Sequence, residues 1–221
     1  HELNQPLNAI KMGSDFLTML SDEGKPIPAE QFKTITGEIS QQVDRATDII
    51  NTLRAFGRKA DMVSERLSVN DSVRGVLKIV GHQLSLAGIE TEIDLQENLP
   101  TILAHDNRIQ QVLFNLVTNA RDAIIKREDE SPNGKRIVLH TFQRRGEVVV
   151  SVQDTGVGIP ESVRGKIFEP FFTTKETGQG MGLGLSISYG IVKDYGGDIR
   201  IDSEPGKGTT FELVFPAAAQ T

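Results

Sequence analysis

The narrowest constraint in this sequence is an apolar stripe at helical spacing along its N-terminal segment. Leu3, Leu7, Ile10, Ser14 and Leu17 recur at alternating intervals of four and three residues. Phe32, Ile35, Ile39, Val43, Ala46, Ile50, Leu53 and Phe56 continue at the same spacings. Residues three and four apart share one face of a helix, so each segment predicts a helix with one narrow contact seam. Between them, Ser21 to Pro28 holds Gly24, Pro26 and Pro28 and predicts a turn, hence a helical hairpin. Two helices cannot cover both sides of such seams. A second copy completing a four-helix bundle is therefore expected.

The pattern changes after Lys59-Ala60-Asp61. Asn70 or Asp71 is placed to cap a helix running to about Ala87, and Asp106 to cap one carrying Ile109, Val112, Leu113, Leu116 and Val117. Ile89 to Leu95 alternates as a strand. Arg136 to Arg145 and Glu147 to Asp154 predict a hairpin turning at Gly146. A glycine-rich stretch leads into a helix near Leu183 to Tyr195, and Ile199 to Ser203 pairs with Thr209 to Phe215. Helices and mostly hairpin-linked strands in this order predict an α+β fold: a helical hairpin, then a two-layer sandwich.

Bulk properties exclude several classes. A net charge of -6 argues against a nucleic-acid surface, which wants a basic face. With no cysteine there is neither a disulfide framework nor a thiolate metal site, which suits a reducing cytoplasm. No apolar run approaches the roughly 20 residues that cross a bilayer, so no membrane contact is expected within this stretch. The chain opens on His1 rather than Met, and we expect a piece of a longer protein with any sensor or anchor upstream.

Three elements suggest a nucleotide site. Asp154-Thr155-Gly156-Val157-Gly158-Ile159-Pro160 ends a strand. Its glycines permit close approach of a ligand, and its carboxylate can accept a hydrogen bond from an amine such as adenine's; a plain tight turn is the alternative. Lys175 to Leu185 carries glycines at 178, 180, 182 and 184 just before a helix whose first amides can face a phosphate. The segment lacks the Gly-Lys-Ser/Thr ending of a Walker loop, and a flexible solvated loop is the alternative. Asn115, Asn119 and Asp122 fall on one helical face and offer oxygens that suit Mg²⁺, or serve as structural amides.

In this order the residues resemble the sensor histidine kinases of two-component systems. His1-Glu2-Leu3-Asn4-Gln5-Pro6-Leu7 resembles the phosphoacceptor box, and Asn115 to Ala123 the asparagine box. Asp154 to Pro160 resembles the first glycine box, Ile167 to Lys175 the phenylalanine box, and Gly180 to Leu185 the second glycine box. The acceptor box is most similar to those of oxygen- and dicarboxylate-sensing kinases.

The resemblance implies a dimerisation and phosphotransfer hairpin at 1–62 and an ATP-binding domain at 63–217, with the fold of gyrase B and the large heat-shock chaperone. It implies that His1 takes the γ-phosphate of ATP and passes it to a response-regulator aspartate within a homodimer. Glu2 would fix the imidazole tautomer, and Gln5 would position water for a phosphatase activity. Pro6, with no amide proton, predicts a bend after the acceptor. Asp154 would hold adenine with help from Thr209, Asn119 would ligate Mg²⁺ near Asn115 and Asp122, and Lys175 would meet the phosphates. Gly156, Gly158, Ile159, Phe168, Thr173, Thr174, Gly180, Gly182, Leu183, Gly184 and Leu185 would line the nucleotide. Asn115 stands where ATP-hydrolysing members of this fold carry a water-activating glutamate. An amide cannot take a proton, which favours transfer to a side chain over hydrolysis. An ATP-driven conformational machine and an inactive dimerisation scaffold are the competing readings. His82, His105 and His140 are expected to be structural or surface residues.

Overall fold

The structure, a computed structural model, describes residues 4–22, 24, 27–57, 64–127, 134–174 and 182–219. It divides into two compact units, His1–Ala60 and Asp61–Thr221.

In the first unit, α1 (Asn4–Asp22) and α2 (Ala29–Gly57) form the expected hairpin. A Cβ at Gly13 would stand 2.9 Å from Ile39 Cγ1 and 3.7 Å from Ile35 Cγ2. Gly13 precedes the turn by about as much as Ile39 follows it, so the helices run antiparallel and are in close contact there. Leu7, Phe16, Phe32 and Val43 remain exposed, as two helices alone leave them. Pro6 lies among the first described residues of α1, two positions after Asn4. The bend expected between the acceptor and Pro6 falls on residues 1–3, outside the described ones.

The second unit contains β1 (Glu65–Leu67), α3 (Val69–Leu86), β2 (Glu90–Leu95), β3 (Ile102–Ala104), α4 (Asp106–Ile125), β4 (Arg136–Arg144) and β5 (Glu147–Asp154). It continues with α5 (Glu161–Arg164), α6 (Gly184–Asp194), β6 (Asp198–Glu204) and β7 (Gly208–Pro216). Five strands form one sheet in the order β2-β4-β5-β7-β6, antiparallel except for β2 against β4. Alternate residues point to one face, so Ile137, Leu139, Val148, Val150, Val152, Phe211, Leu213 and Phe215 meet the apolar faces of α3, α4 and α6. The fold is α+β, as predicted.

Among the described residues of this unit, no further layer of secondary structure packs on the opposite face, yet Val149 and Val214 are buried there. Arg144 of β4 reaches Glu212 of β7 at 2.6 and 3.2 Å, and β5 lies between those strands. The bridge therefore crosses β5 and shields its valine. This pairing holds the Arg144 guanidinium above its ordinary range.

Both expected helix caps are corrected. Ser68, not Asn70 or Asp71, precedes α3, and Asn70 is buried in its first turn. Its amide donates to the Gln96 carbonyl at 3.0 Å and its oxygen accepts from Thr141 at 2.7 Å, satisfying a hydroxyl buried in the sheet. His105 precedes α4, and Asp106 instead accepts from Ser72 at 2.6 Å and Gln110 at 2.7 Å, fastening α3 to α4. The three-residue β1–β3 ladder was not expected, being too short for periodicity to reveal.

Candidate functional site

Asp154 ends β5 and is 5% exposed. Its carboxylate accepts the Gly156 amide at 2.8 Å, a turn closed on its own side chain, and the backbone amide of Thr209. Thr209 is its register partner in β7, so two segments fix one carboxylate. Burial lifts the group to about 6, well above the ordinary carboxylate range, while the two amides pull it partly back.

The first glycine turn is wedged from two sides. A Cβ at Gly156 would stand 2.6 Å from the Ala123 carbonyl carbon, and the Val157 amide donates to the Ala123 carbonyl at 3.2 Å. A Cβ at Gly158, at φ +72°, would collide with the Glu204 carbonyl in the β6–β7 turn. From that same turn the Gly206 amide donates to Val157 at 2.8 Å. Both glycines are thus required by packing before any ligand is considered.

α4 links the two glycine elements. At Asn115 its side-chain amide donates to the Gly184 carbonyl at 3.2 Å and to Ser188 Oγ at 3.3 Å, on the first turn of α6. Two turns later Ala123 meets Gly156. Asn119 and Asp122 lie on the intervening stretch of the same face. Asn119 is half-buried and its side chain makes no hydrogen bond among the described residues. Arg121 donates to one Asp122 oxygen at 2.8 and 3.0 Å, so that carboxylate is already partly neutralised. Among the described residues no cluster of three His, Asp or Glu could hold a metal. Asn119, and the Asn115 oxygen left over after its amide is spent, are the neutral oxygens that fit a hard cation arriving with its own phosphates and waters.

The phenylalanine segment closes on the second glycine element. A Cβ at Gly182, at φ +64°, would stand 2.5 Å from the Phe172 carbonyl oxygen, and Phe171 is itself at φ +67°. Phe168 stacks on Tyr189 of α6 with ring centroids 5.0 Å apart. Lys126 donates to the Thr174 carbonyl at 3.4 Å, and Thr173 also has a partner. Leu183 is buried in the core; Gly184 and Leu185 begin α6. His1, Glu2, Lys175 and Gly180 lie outside the described residues, and of Gln5 only the backbone, in the first turn of α1, is described.

Among the other histidines, His105 Nδ1 meets Tyr195 at 2.8 Å and His140 meets Asp94 at 3.4 Å, structural and surface contacts as expected. What the sequence did not reveal is Ser203. Its hydroxyl accepts the Ile159 amide at 2.8 Å and meets Thr209 Oγ1 at 2.9 Å. An isolated serine in an alternating strand carries no signal of such a junction.

Residues 104–219 match the family described as histidine kinase-, DNA gyrase B- and HSP90-like ATPase. Residues 1–61 match the His kinase A phosphoacceptor domain. This chain belongs to the histidine kinases. It is 39% identical to sensor kinase CckA of Brucella abortus over 98% of its length, but spans only 23% of that protein. It is 34% identical to the C4-dicarboxylate transport sensor DctB of Rhizobium meliloti over 96%, spanning 32% of it. A dicarboxylate sensor is thus among the relatives, though below CckA in identity. A structure of full-length ShkA with AMPPNP superposes with a TM-score of 0.72 at 25% identity, covering 98% of this chain and 47% of that one. Histidine kinase ThkA in complex with the response regulator TrrA gives 0.71 at 25% identity, covering 97% and 59%. No described helix is long and apolar enough to cross a membrane.

Proposed function

We propose that this histidine kinase core transfers the γ-phosphate of ATP to His1 and then to a response-regulator aspartate. The observation that carries the reading is the buried Asp154 carboxylate, held by the amides of Gly156 and Thr209. An ionised carboxylate in that position accepts from the exocyclic amine of adenine and rejects a carbonyl. The AMPPNP bound by ShkA and the regulator bound by ThkA support the nucleotide and the partner.

Residues 63–217 would bind ATP, with Asn119 and the Asn115 oxygen meeting Mg²⁺, whose charge when bound neutralises the phosphates. Gly156, Gly158, Ile159, Phe168, Thr173, Thr174, Gly180, Gly182, Leu183, Gly184 and Leu185 would line the nucleotide, and Lys175 would face the phosphates. Asn115 cannot take a proton from water, which disfavours hydrolysis. Residues 1–62 would form the homodimer through the exposed seam at Leu7, Phe16, Phe32 and Val43. There a lone pair of neutral His1 attacks the γ-phosphorus, ADP leaves, and Glu2 holds the remaining ring proton. Gln5 would position water to hydrolyse the phosphorylated regulator. A reaction that consumes ATP would run in the cytoplasm, on this core alone or on the cytoplasmic portion of a membrane-bound sensor.

Incubation of the full protein with γ-labelled Mg-ATP tests this. Acid-labile, base-stable label that is lost in His1→Gln is expected. ATP binding without label would leave an inactive scaffold, and label persisting in His1→Gln would put the acceptor elsewhere. Gln5→Ala should slow decay of the phosphorylated regulator; an unchanged decay removes the phosphatase role.

A further inference from the structure

Asn115, Asn119 and Asp122 stand on one face of α4, and the sequence carries that face one turn further. Lys126 follows Asp122 by four residues, so the spacings along the face run four, three and four. At about 100° per residue the four side chains fall within a sector of roughly 60°. Lys126 is the C-cap of α4, keeps a helical backbone and is exposed. The Cα–Cβ bonds of a helix tilt toward its N-terminus, which starts the Lys126 stem toward the Asp122 turn.

An aspartate one turn before a lysine ordinarily pairs with it. Here one Asp122 oxygen accepts from Arg121 at 2.8 and 3.0 Å, and no carboxylate among the described residues forms an ion pair with Lys126. The ammonium reaches across instead to the Thr174 carbonyl at 3.4 Å, a long contact with a neutral acceptor. One of its three N–H donors is engaged there, and the others have no partner among the described residues. Thr174 closely follows Phe172, whose carbonyl crowds Gly182 just before α6. One part of the phenylalanine segment thus lies beside the start of α6, which Asn115 holds, and another beside Lys126.

We propose that the Lys126 ammonium binds the polyphosphate chain of the nucleotide. This rests on the reading of Asp154 as the receptor for the base. With the base there, the turn at Gly156, packed on Ala123, brings the rest of the nucleotide onto the Lys126 end of the α4 face. Asp122 and an ionised Asp154 both set negative charge beside a ligand that is itself a polyanion. An ammonium with no carboxylate partner offsets that repulsion. Binding exchanges a long bond to a neutral carbonyl for a charge-assisted bond to a phosphate oxygen, which is shorter and about twice as strong. Lysine suits the task, since a compact charge with rotatable donors needs no fixed geometry at the phosphate. Because Lys126 is exposed and outside the core, its removal alters the site without disturbing the fold.

Calorimetric affinities for Mg-ATP and for adenosine, which has no phosphate, test the proposal on the intact chain beside Lys126→Ala, Lys126→Gln and Lys126→Arg. Lys126→Ala should weaken Mg-ATP about tenfold, the loss expected for one charge-assisted hydrogen bond, and adenosine by less than about twofold. Lys126→Arg keeps the charge and should stay within about threefold of wild type for Mg-ATP. Lys126→Gln can still donate to the Thr174 carbonyl but carries no charge, and should behave as Lys126→Ala. All three variants should melt within about a degree of wild type. Recovery of Mg-ATP affinity in Lys126→Gln, or equal losses for Mg-ATP and adenosine, would reduce Lys126 to a tether for Thr174 and overturn the proposal. Unchanged Mg-ATP affinity in Lys126→Ala would overturn it outright. Binding of neither ligand by wild type would instead overturn the Asp154 reading, and the role of Lys126 with it.

Discussion

Gly208 and Asp154 are packed back to back: a Cβ at Gly208, which sits at φ +104°, would collide with the Asp154 carbonyl oxygen. The close approach lets the neighbouring Thr209 amide reach the Asp154 carboxylate. Gly208→Ala must strain the backbone and push the two strands apart. We expect a loss of about 3 kcal/mol or more. For a unit of this size that is a fall in melting temperature of roughly 6–12 °C. A variant melting within about a degree of wild type would show that the contact yields freely.

Asp154 predicts a pH dependence of stability. The folded chain holds this proton up to about pH 6, the unfolded chain only to the ordinary carboxylate value of about 3.9. The folded state therefore binds the proton more tightly, and the group's contribution to stability grows as pH falls from about 6 towards 4. Above 6 the buried charge costs stability. Asp154→Asn should be more stable than wild type at pH 7.5, by about 1–3 kcal/mol, and the gap should shrink to about half at pH 5 on its way to closing near pH 4. Melting curves at the two pH values measure this; a gap that does not depend on pH contradicts it.

Asn115 fastens α4 to α6 through its amide, which donates to the Gly184 carbonyl and Ser188 Oγ. Asn115→Asp replaces that donor with a charged acceptor facing a carbonyl. A loss of about 1–3 kcal/mol is expected at neutral pH, read from urea unfolding, with partial recovery below pH 4 as the carboxyl regains a proton. Wild-type stability in the variant would mean that the amide is dispensable.

The hairpin has its own test at Gly13, where Ile39 leaves no room for a side chain. Gly13→Leu gains helix propensity, about 0.8–1 kcal/mol, but must part the helices where Ile39 packs on Gly13. The steric cost should win, lowering the thermal midpoint of the helical signal and weakening self-association in sedimentation. A higher midpoint would show that the seam repacks.

Much of this was legible because periodicity survives packing. The hairpin of β4 and β5 about Gly146 follows from alternation alone, and α1 and α2 from intervals of three and four. The polar face at Asn115, Asn119 and Asp122 is likewise a matter of helical angle. Helix ends were less legible, because Asn70 and Asp106 look like caps but are claimed by Thr141, Gln96, Ser72 and Gln110 from other elements. The glycines of the first box were legible as turn residues, yet their partners, Ala123 and Glu204, are far away in the chain. Ser203 was illegible for the same reason: its meaning comes from strand register, which places it across from Thr209.

If the buried Asp154 carboxylate receives the base of ATP, replacing its charge must weaken nucleotide binding. Titration calorimetry of Mg-ATP into wild type and Asp154→Asn at pH 7.5 measures this. Loss of one charge-assisted hydrogen bond, and an amide group now facing the adenine amine, should weaken binding by at least about 30-fold while the variant stays folded. Equal affinities in the two proteins would contradict the account.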